Sequence, residues 1–290
     1  MKQKVSLVLS GGGARGMAHI GVIEELTKRG YEIHSVVGTS MGALVGGVYA
    51  LGKMEEFKHW LLTLDRYKVF SLVDFTLSRQ GLIKGERILN KMRNLIPDMP
   101  IEHLPIFYAA VAVDILHGEE VVFTQGSIYE AIRASIAIPT VFTPQKIQGR
   151  LLVDGGVLNN IPISYARRIP EDLLVAVNVN ANVPLNPPML SEVETKAETL
   201  AQPSKQTEFY QQIKKYISSK NVESLGYFDM INQTVTLMIN QMSEMSLKHY
   251  SPDLLINVSR QSCGTFDFYK AEELMGVGRL AAQSALTSFE

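Results

Sequence analysis

Short apolar runs alternate with stretches of helical spacing through the first half of the chain. Lys4 to Leu9 is rich in Val and Leu and reads as a strand. Ala18, Val22, Ile23 and Leu26 then recur at helical spacing, and Lys28, Arg29 and Gly30 supply a basic last turn and a C-cap. His34 to Val37 is a second short strand that ends at Gly38. Met41 to Leu51, dense in Ala, Val, Leu and Gly, reads as a buried helix. Two successive strand–loop–helix units predict parallel βαβ connections.

Beyond residue 54 the pattern changes. Residues 54–100 read as a helical excursion, with helical spacing at Leu61, Leu64 and Glu86–Ile96 and stops at Pro97 and Pro100. Ile106–Val113 and Glu120–Phe123 predict a hairpin turning near His117-Gly118. Ser127 is placed to cap a helix beginning at Ile128, with Glu130 in its first turn. "KIQGRLLVDGG" (146–156) predicts a second hairpin, with Gln148-Gly149 at the turn and Asp154 where its last strand ends. "DLLVAVNVN" (172–180) is nearly continuously apolar, as in a central strand covered on both faces.

From Asn182 to Asn221 the composition shifts to Pro, Glu, Lys, Gln and Ser, which predicts a polar helical or mobile insertion. Ile231, Val235, Met238, Met242 and Met245 follow with the spacing of an amphipathic helix. Such a methionine stripe is read as core packing ahead of a lipid- or partner-facing groove. Asp253–Val258 is a last strand and Phe268–Ala285 a closing helix. No internal repeat is visible. The expected fold is a three-layer α/β/α sandwich with a mostly parallel central sheet, in a single domain spanning residues 1–290.

Composition narrows the function classes. The chain has 290 residues, 46% hydrophobic and 20% charged, and a net charge of −1. No global field would draw a nucleic acid, so none is expected as a partner. The single cysteine, Cys263, excludes an internal disulfide framework and a Cys-rich metal site. Val5–Leu9 is too short for the apolar region of a signal peptide, and no later stretch is long enough to span a bilayer. A cytoplasmic location is expected, with a peripheral visit to the inner face of a membrane left open. Oligomeric state is not indicated.

Two glycine motifs carry the chemistry. Gly11, Gly13 and Gly16 spell G-x-G-x-x-G between a predicted strand and a predicted helix. This spacing fits a dinucleotide-phosphate loop. It fits equally a loop whose backbone N–H groups face the oxyanion of an ester hydrolysis. A dinucleotide site would call for an acid at the end of the second strand, about 20 residues on. Val37-Gly38-Thr39-Ser40 stands there instead, and Glu32 precedes the strand.

The second motif is Gly38-Thr39-Ser40-Met41-Gly42, a G-x-S-x-G between a predicted strand and helix. A nucleophile on so tight a turn occupies a strained backbone angle, and the flanking glycines let neighbouring chain pass close. The helix N-terminus beneath it favours an oxygen with alkoxide character.

A serine nucleophile needs a base. The only histidine after Asp154 is His249, inside the amphipathic helix. His19, His34, His59, His103 and His117 also lack a motif-like setting, and no pair has metal-ligand spacing with a carboxylate. No metal or cofactor is expected, and no acidic loop supports calcium. Asp154, at a strand end before Gly155-Gly156, is the leading base candidate.

Taken together, Gly11-Gly12-Gly13-Ala14-Arg15-Gly16, Gly38-Thr39-Ser40-Met41-Gly42, Asp154-Gly155-Gly156 and the "ASIAIP" element (Ala134–Pro139) resemble the patatin-like phospholipases, acyl hydrolases with a Ser–Asp dyad and no histidine. The resemblance covers about residues 5–180. It implies that Ser40 attacks an ester carbonyl and that Asp154 takes its proton. It also implies that N–H groups around Gly11, Gly12 and Gly13 form an oxyanion hole, with Arg15 either contacting a substrate anion or fixing the loop. Gly38 and Gly42 would shape the elbow, and Gly155 and Gly156 the base loop. The implied substrate is a lipid or other acyl ester. A transacylase, a thioesterase or a regulatory protein on the same fold is the alternative.

Overall fold

The computed structural model describes residues 2–72, 75–78, 81–83, 86–93, 97–185 and 226–289. Chain contacts divide it into two compact units, one of residues 1–185 and 241–290 and the other of residues 186–240. In the first unit, β1 (Lys4–Leu9) leads through a 3₁₀ turn into α1 (Ala18–Lys28), β2 (Glu32–Thr39) and α2 (Met41–Ala50). β2 thus runs past the predicted His34–Val37 core at both ends. Gly30 adopts φ 87° just beyond the end of α1, as a helix-terminating glycine should.

The excursion contains α3 (Met54–Leu62), α4 (Arg66–Ser71), β3 (Phe75–Ser78), β4 (Gly81–Ile83) and α5 (Glu86–Arg93). It is therefore not wholly helical. β3 and β4 pair antiparallel, and β4 pairs in parallel with β7 (Thr140–Phe142), forming a separate three-stranded sheet. That partner is remote in sequence, so local spacing could not reveal it.

β5 (Phe107–Asp114) and β6 (Glu119–Phe123) form the expected hairpin. Ser127 caps α6 (Ile128–Ser135) by accepting from Glu130 N at 3.1 Å. β8 (Gln145–Ile147) and β9 (Arg150–Asp154) turn at Gln148-Gly149, both at positive φ. β10 (Leu173–Ala181), α7 (Tyr227–Tyr250), β11 (Leu254–Ser259) and α8 (Ala271–Phe289) complete the chain. Most of the segment expected as an insertion, residues 186–221, lies outside the described residues.

The main sheet has the order β11-β10-β1-β2-β5-β9-β8, with β6 branching from β5. Its β11, β10, β1, β2 and β5 are mutually parallel, while β6, β8 and β9 join antiparallel. Alternation along the strands separates two apolar layers. Tyr108 faces α2 and donates its hydroxyl to Ala43 O at 2.8 Å. Val8, Leu174 and Ala176 face the other way, onto Ile161, Ile163 and Leu247 of α7. The amphipathic helix forms, but its stripe is not core. Ile231, Val235, Met238 and Met245 are 39%, 45%, 59% and 61% exposed.

One pairing detail positions the site. β5 carries β6 along one edge from Ala110 to Asp114, so β2 and β9 must share its other edge. β2 pairs there up to Thr39↔Val111, and β9 takes over at Ala112↔Asp154. The ends of these two strands therefore meet head-on, bringing Asp154 to the residue after Thr39.

Candidate active site

Ser40 occupies φ 55°, ψ −123°, a left-handed conformation costly for a residue with a side chain. Packing enforces it. A Cβ on Gly42 would lie 2.3 Å from Leu9 O, and one on Gly38 would lie 2.4 Å from the Gly42 backbone. Only glycine at both positions lets β1, the turn and α2 approach so closely. The Ser40 N–H donates to Ser135 Oγ at 2.8 Å, and Ser135 donates in turn to Val111 O at 2.6 Å. Ser40 O accepts from Leu44 N and starts the helical ladder of α2.

The Ser40 side chain lies beside the Asp154 carboxylate and helps to stabilise its charge, and Asp154 Oδ1 accepts from Gly156 N at 2.8 Å. Asp154 is only 6% exposed. Burial pushes its pKa up to about 6, with neighbouring Ser40 and the Gly156 N–H opposing that rise. No histidine bonds Ser40 among the described residues. His19 holds Ser10 O at 2.8 Å, His34 pairs with Asp172 at 2.8 Å, and His117 pairs with Asp114 at 2.7 Å. Burial lowers the His19 pKa to about 4, so its imidazole is neutral at physiological pH.

The glycine loop is pinned on both sides of its centre. Gly11 N donates to Asn160 O at 3.0 Å, and Ala14 N donates to Thr265 O at 2.9 Å. The Gly11 N–H is thereby committed to a protein acceptor. Gly12 and Gly13 lie between the pins, and neither N–H has an acceptor among the described residues.

Arg15 donates through Nε and Nη2 to Asn180 Oδ1 and through Nη1 to Cys263 O. Asn180 Nδ2 returns to Gly11 O at 2.6 Å. The guanidinium is spent on the loop and its neighbours, which favours the loop-fixing alternative over a substrate anion.

Four residues with no individual role read from the sequence complete the site: Ser135, Ala137, Asn159 and Asn160. The "ASIAIP" element holds both halves of the pair, since Ser135 takes the Ser40 N–H and Ala137 O takes the Asp154 N–H at 2.9 Å. Its match to a family motif was visible, but the contacts it makes were not. Asn160 links the base loop to the glycine loop, and neighbouring Asn159 O accepts from Thr39 Oγ1 at 2.8 Å. Among the described residues no cluster of three or more His, Cys, Asp or Glu could hold a metal ion.

A serine at a strand–turn–helix elbow, facing a buried aspartate beside a glycine loop, defines an α/β protein of the serine-elbow class. Residues 7–167 match the family described as patatin-like phospholipase. The chain is 34% identical to an uncharacterized NTE family protein of Mycobacterium tuberculosis, over 99% of this chain and 92% of the relative. It is 30% identical to patatin-like phospholipase domain-containing protein 7 of Rattus norvegicus, over 61% of this chain and 14% of that protein. The fold is similar to the crystal structure of VipD from Legionella pneumophila, with a TM-score of 0.50 and 15% identity, over 99% of this chain and 67% of that one. The chain belongs to the patatin-like phospholipase family, which implies a lipid acyl hydrolase.

Proposed function

We propose that this protein is a serine acyl-ester hydrolase acting on lipid or lysophospholipid through Ser40 and Asp154. The observation that carries the reading is the meeting of the strained Ser40 elbow with the buried Asp154 carboxylate at the facing ends of β2 and β9, where no histidine bonds Ser40 among the described residues. Ser40 Oγ attacks the ester carbonyl carbon as its proton passes to Asp154. The negative charge on the carbonyl oxygen is met by the N–H groups of Gly12 and Gly13. The leaving alcohol takes the proton from Asp154, and water then releases the acyl group.

A carboxylate with a pKa of about 6 is mostly ionised at neutral pH, yet more basic than an ordinary aspartate, as a general base should be. Losing a preorganised oxyanion donor typically costs about 10²–10³ in rate.

Peripheral contact with a lipid surface accompanies the reading. Ile115 and Leu116 lie in the turn after β5, Leu158 follows the base loop, and Phe266 follows the residue that pins Ala14. All four are exposed, and their loops sit at the end of the sheet that carries Ser40. Among the described residues no helix is long and apolar enough to cross a membrane.

The test is hydrolysis of lysophosphatidylcholine and p-nitrophenyl butyrate by wild type, Ser40→Ala and Asp154→Asn. Turnover by wild type alone, with both variants folded, supports the reading. Wild type without esterase activity, or Ser40→Ala with wild-type rates, overturns it.

A further inference from the structure

Deacylation asks something of the site that acylation does not. A water molecule must be held with a lone pair facing the acyl carbon, so both its hydrogens need acceptors pointing away from that carbon. Asp154 supplies one. The structure contains a second beside it.

A Cβ built on Gly156 would project between two oxygens, Asp154 Oδ1 and Asn160 Oδ1, and lie 3.1 Å from each. The hydrogen face of Gly156 is therefore flanked closely by two acceptors, and the notch is the space between them that only a glycine leaves free. Asn160 Oδ1 also lies 2.6 Å from the point where a Cβ on Gly11 would sit, and Ser40 Cβ lies 3.1 Å from that same point. The amide is thus a near neighbour of both the nucleophile and the base.

Asn160 is buried and held on two sides. Its backbone O takes the Gly11 N–H, and its Nδ2 donates to Ser243 Oγ of α7 at 3.4 Å. That leaves Oδ1 directed at the notch, with no hydrogen-bond donor among the described residues. An amide oxygen with no protein donor is free to accept from a water beside it.

We propose that Asn160 Oδ1 and the Asp154 carboxylate together hold the deacylating water over Gly156. The inference rests on the serine-hydrolase reading above. In the step, the water oxygen forms a bond to the acyl carbon while one of its protons passes to Asp154. The other hydrogen stays bonded to Asn160 Oδ1. The bond from the acyl carbon to Ser40 Oγ then breaks, Oγ regains its proton from Asp154, and the carboxylic acid departs.

Two variants probe the notch differently. Asn160→Ala removes the acceptor but keeps the backbone carbonyl that holds Gly11. Gly156→Ala plugs the space with a methyl group at a position without positive φ. Acyl-enzyme is measured by acid-quenching reactions with p-nitrophenyl butyrate and weighing the intact protein. Acylation is measured independently as the rate of fluorophosphonate labelling.

Both variants should accumulate acyl-Ser40 above the wild-type level, with turnover falling roughly three- to tenfold for the lost hydrogen bond. In both variants the labelling rate should fall by clearly less than turnover does. The inference is overturned if labelling falls as far as turnover, or if no acyl-enzyme accumulates in either variant. Absence of labelling in wild type would overturn the hydrolase reading itself, so the two failures are distinguishable.

Discussion

Replacing Asp154 by Asn should abolish activity and at the same time stabilise the fold, by an amount that depends on pH. Asp154 carries its charge in a buried site, and its pKa rises from 3.8 to about 6 on folding. Below pH 3.8 both folded and unfolded chains hold the proton, and the charge costs nothing. Between 3.8 and about 6 the unfolded chain releases the proton first, so stability falls as pH rises, and it stays lower above pH 6. A rise of about two units corresponds to about 3 kcal/mol at pH 8. Asparagine keeps the shape and can still accept from Gly156 N, so it relieves most of that cost. For a chain of this size the gain in Tm is on the order of 5 °C. The assay is thermal unfolding of both proteins from pH 3.5 to 8. The Asp154→Asn advantage should be near zero at the acid end and grow through pH 4–6. A variant equally stable to wild type at every pH, or less stable at pH 8 than at pH 3.5 relative to it, would refute the buried-charge argument.

Other consequences follow from the same geometry. The rate of ester hydrolysis at low substrate should rise with pH through about 6 as Asp154 ionises, read from a kcat/KM profile on a soluble ester. Ser135→Ala leaves the Ser40 N–H without its acceptor, which should cost about 1–3 kcal/mol in urea unfolding and lower kcat more than it raises KM. Replacing exposed Ile115 and Leu116 by Ser should reduce hydrolysis of vesicle-borne lipid several-fold while leaving p-nitrophenyl butyrate turnover unchanged. Equal loss on both substrates would argue against a lipid-facing rim.

What could be read from the sequence was local. The Ser40 elbow, the Ser127 cap, the Gln148-Gly149 turn and the end of β9 at Asp154 each depend on a few adjacent residues with fixed backbone preferences. What escaped depended on partners far along the chain. β3 and β4 are strands partly because β7 pairs with β4. Ser135 acts through the backbone of a residue 95 positions earlier. The commitment of Gly11 N–H to Asn160 O was invisible because glycine spacing describes where a chain can bend, not which donors are left over. The stripe on α7 shows the same limit from the other side, since periodicity located the helix but not what its apolar face meets.

The most direct test of the Ser40–Asp154 account is covalent labelling with a fluorophosphonate, followed by proteolysis and mass spectrometry to locate the modified residue. The account predicts a single adduct on Ser40, absent in Ser40→Ala and strongly slowed in Asp154→Asn. A folded wild-type protein that takes no label, or one labelled elsewhere and equally in Ser40→Ala, would contradict it.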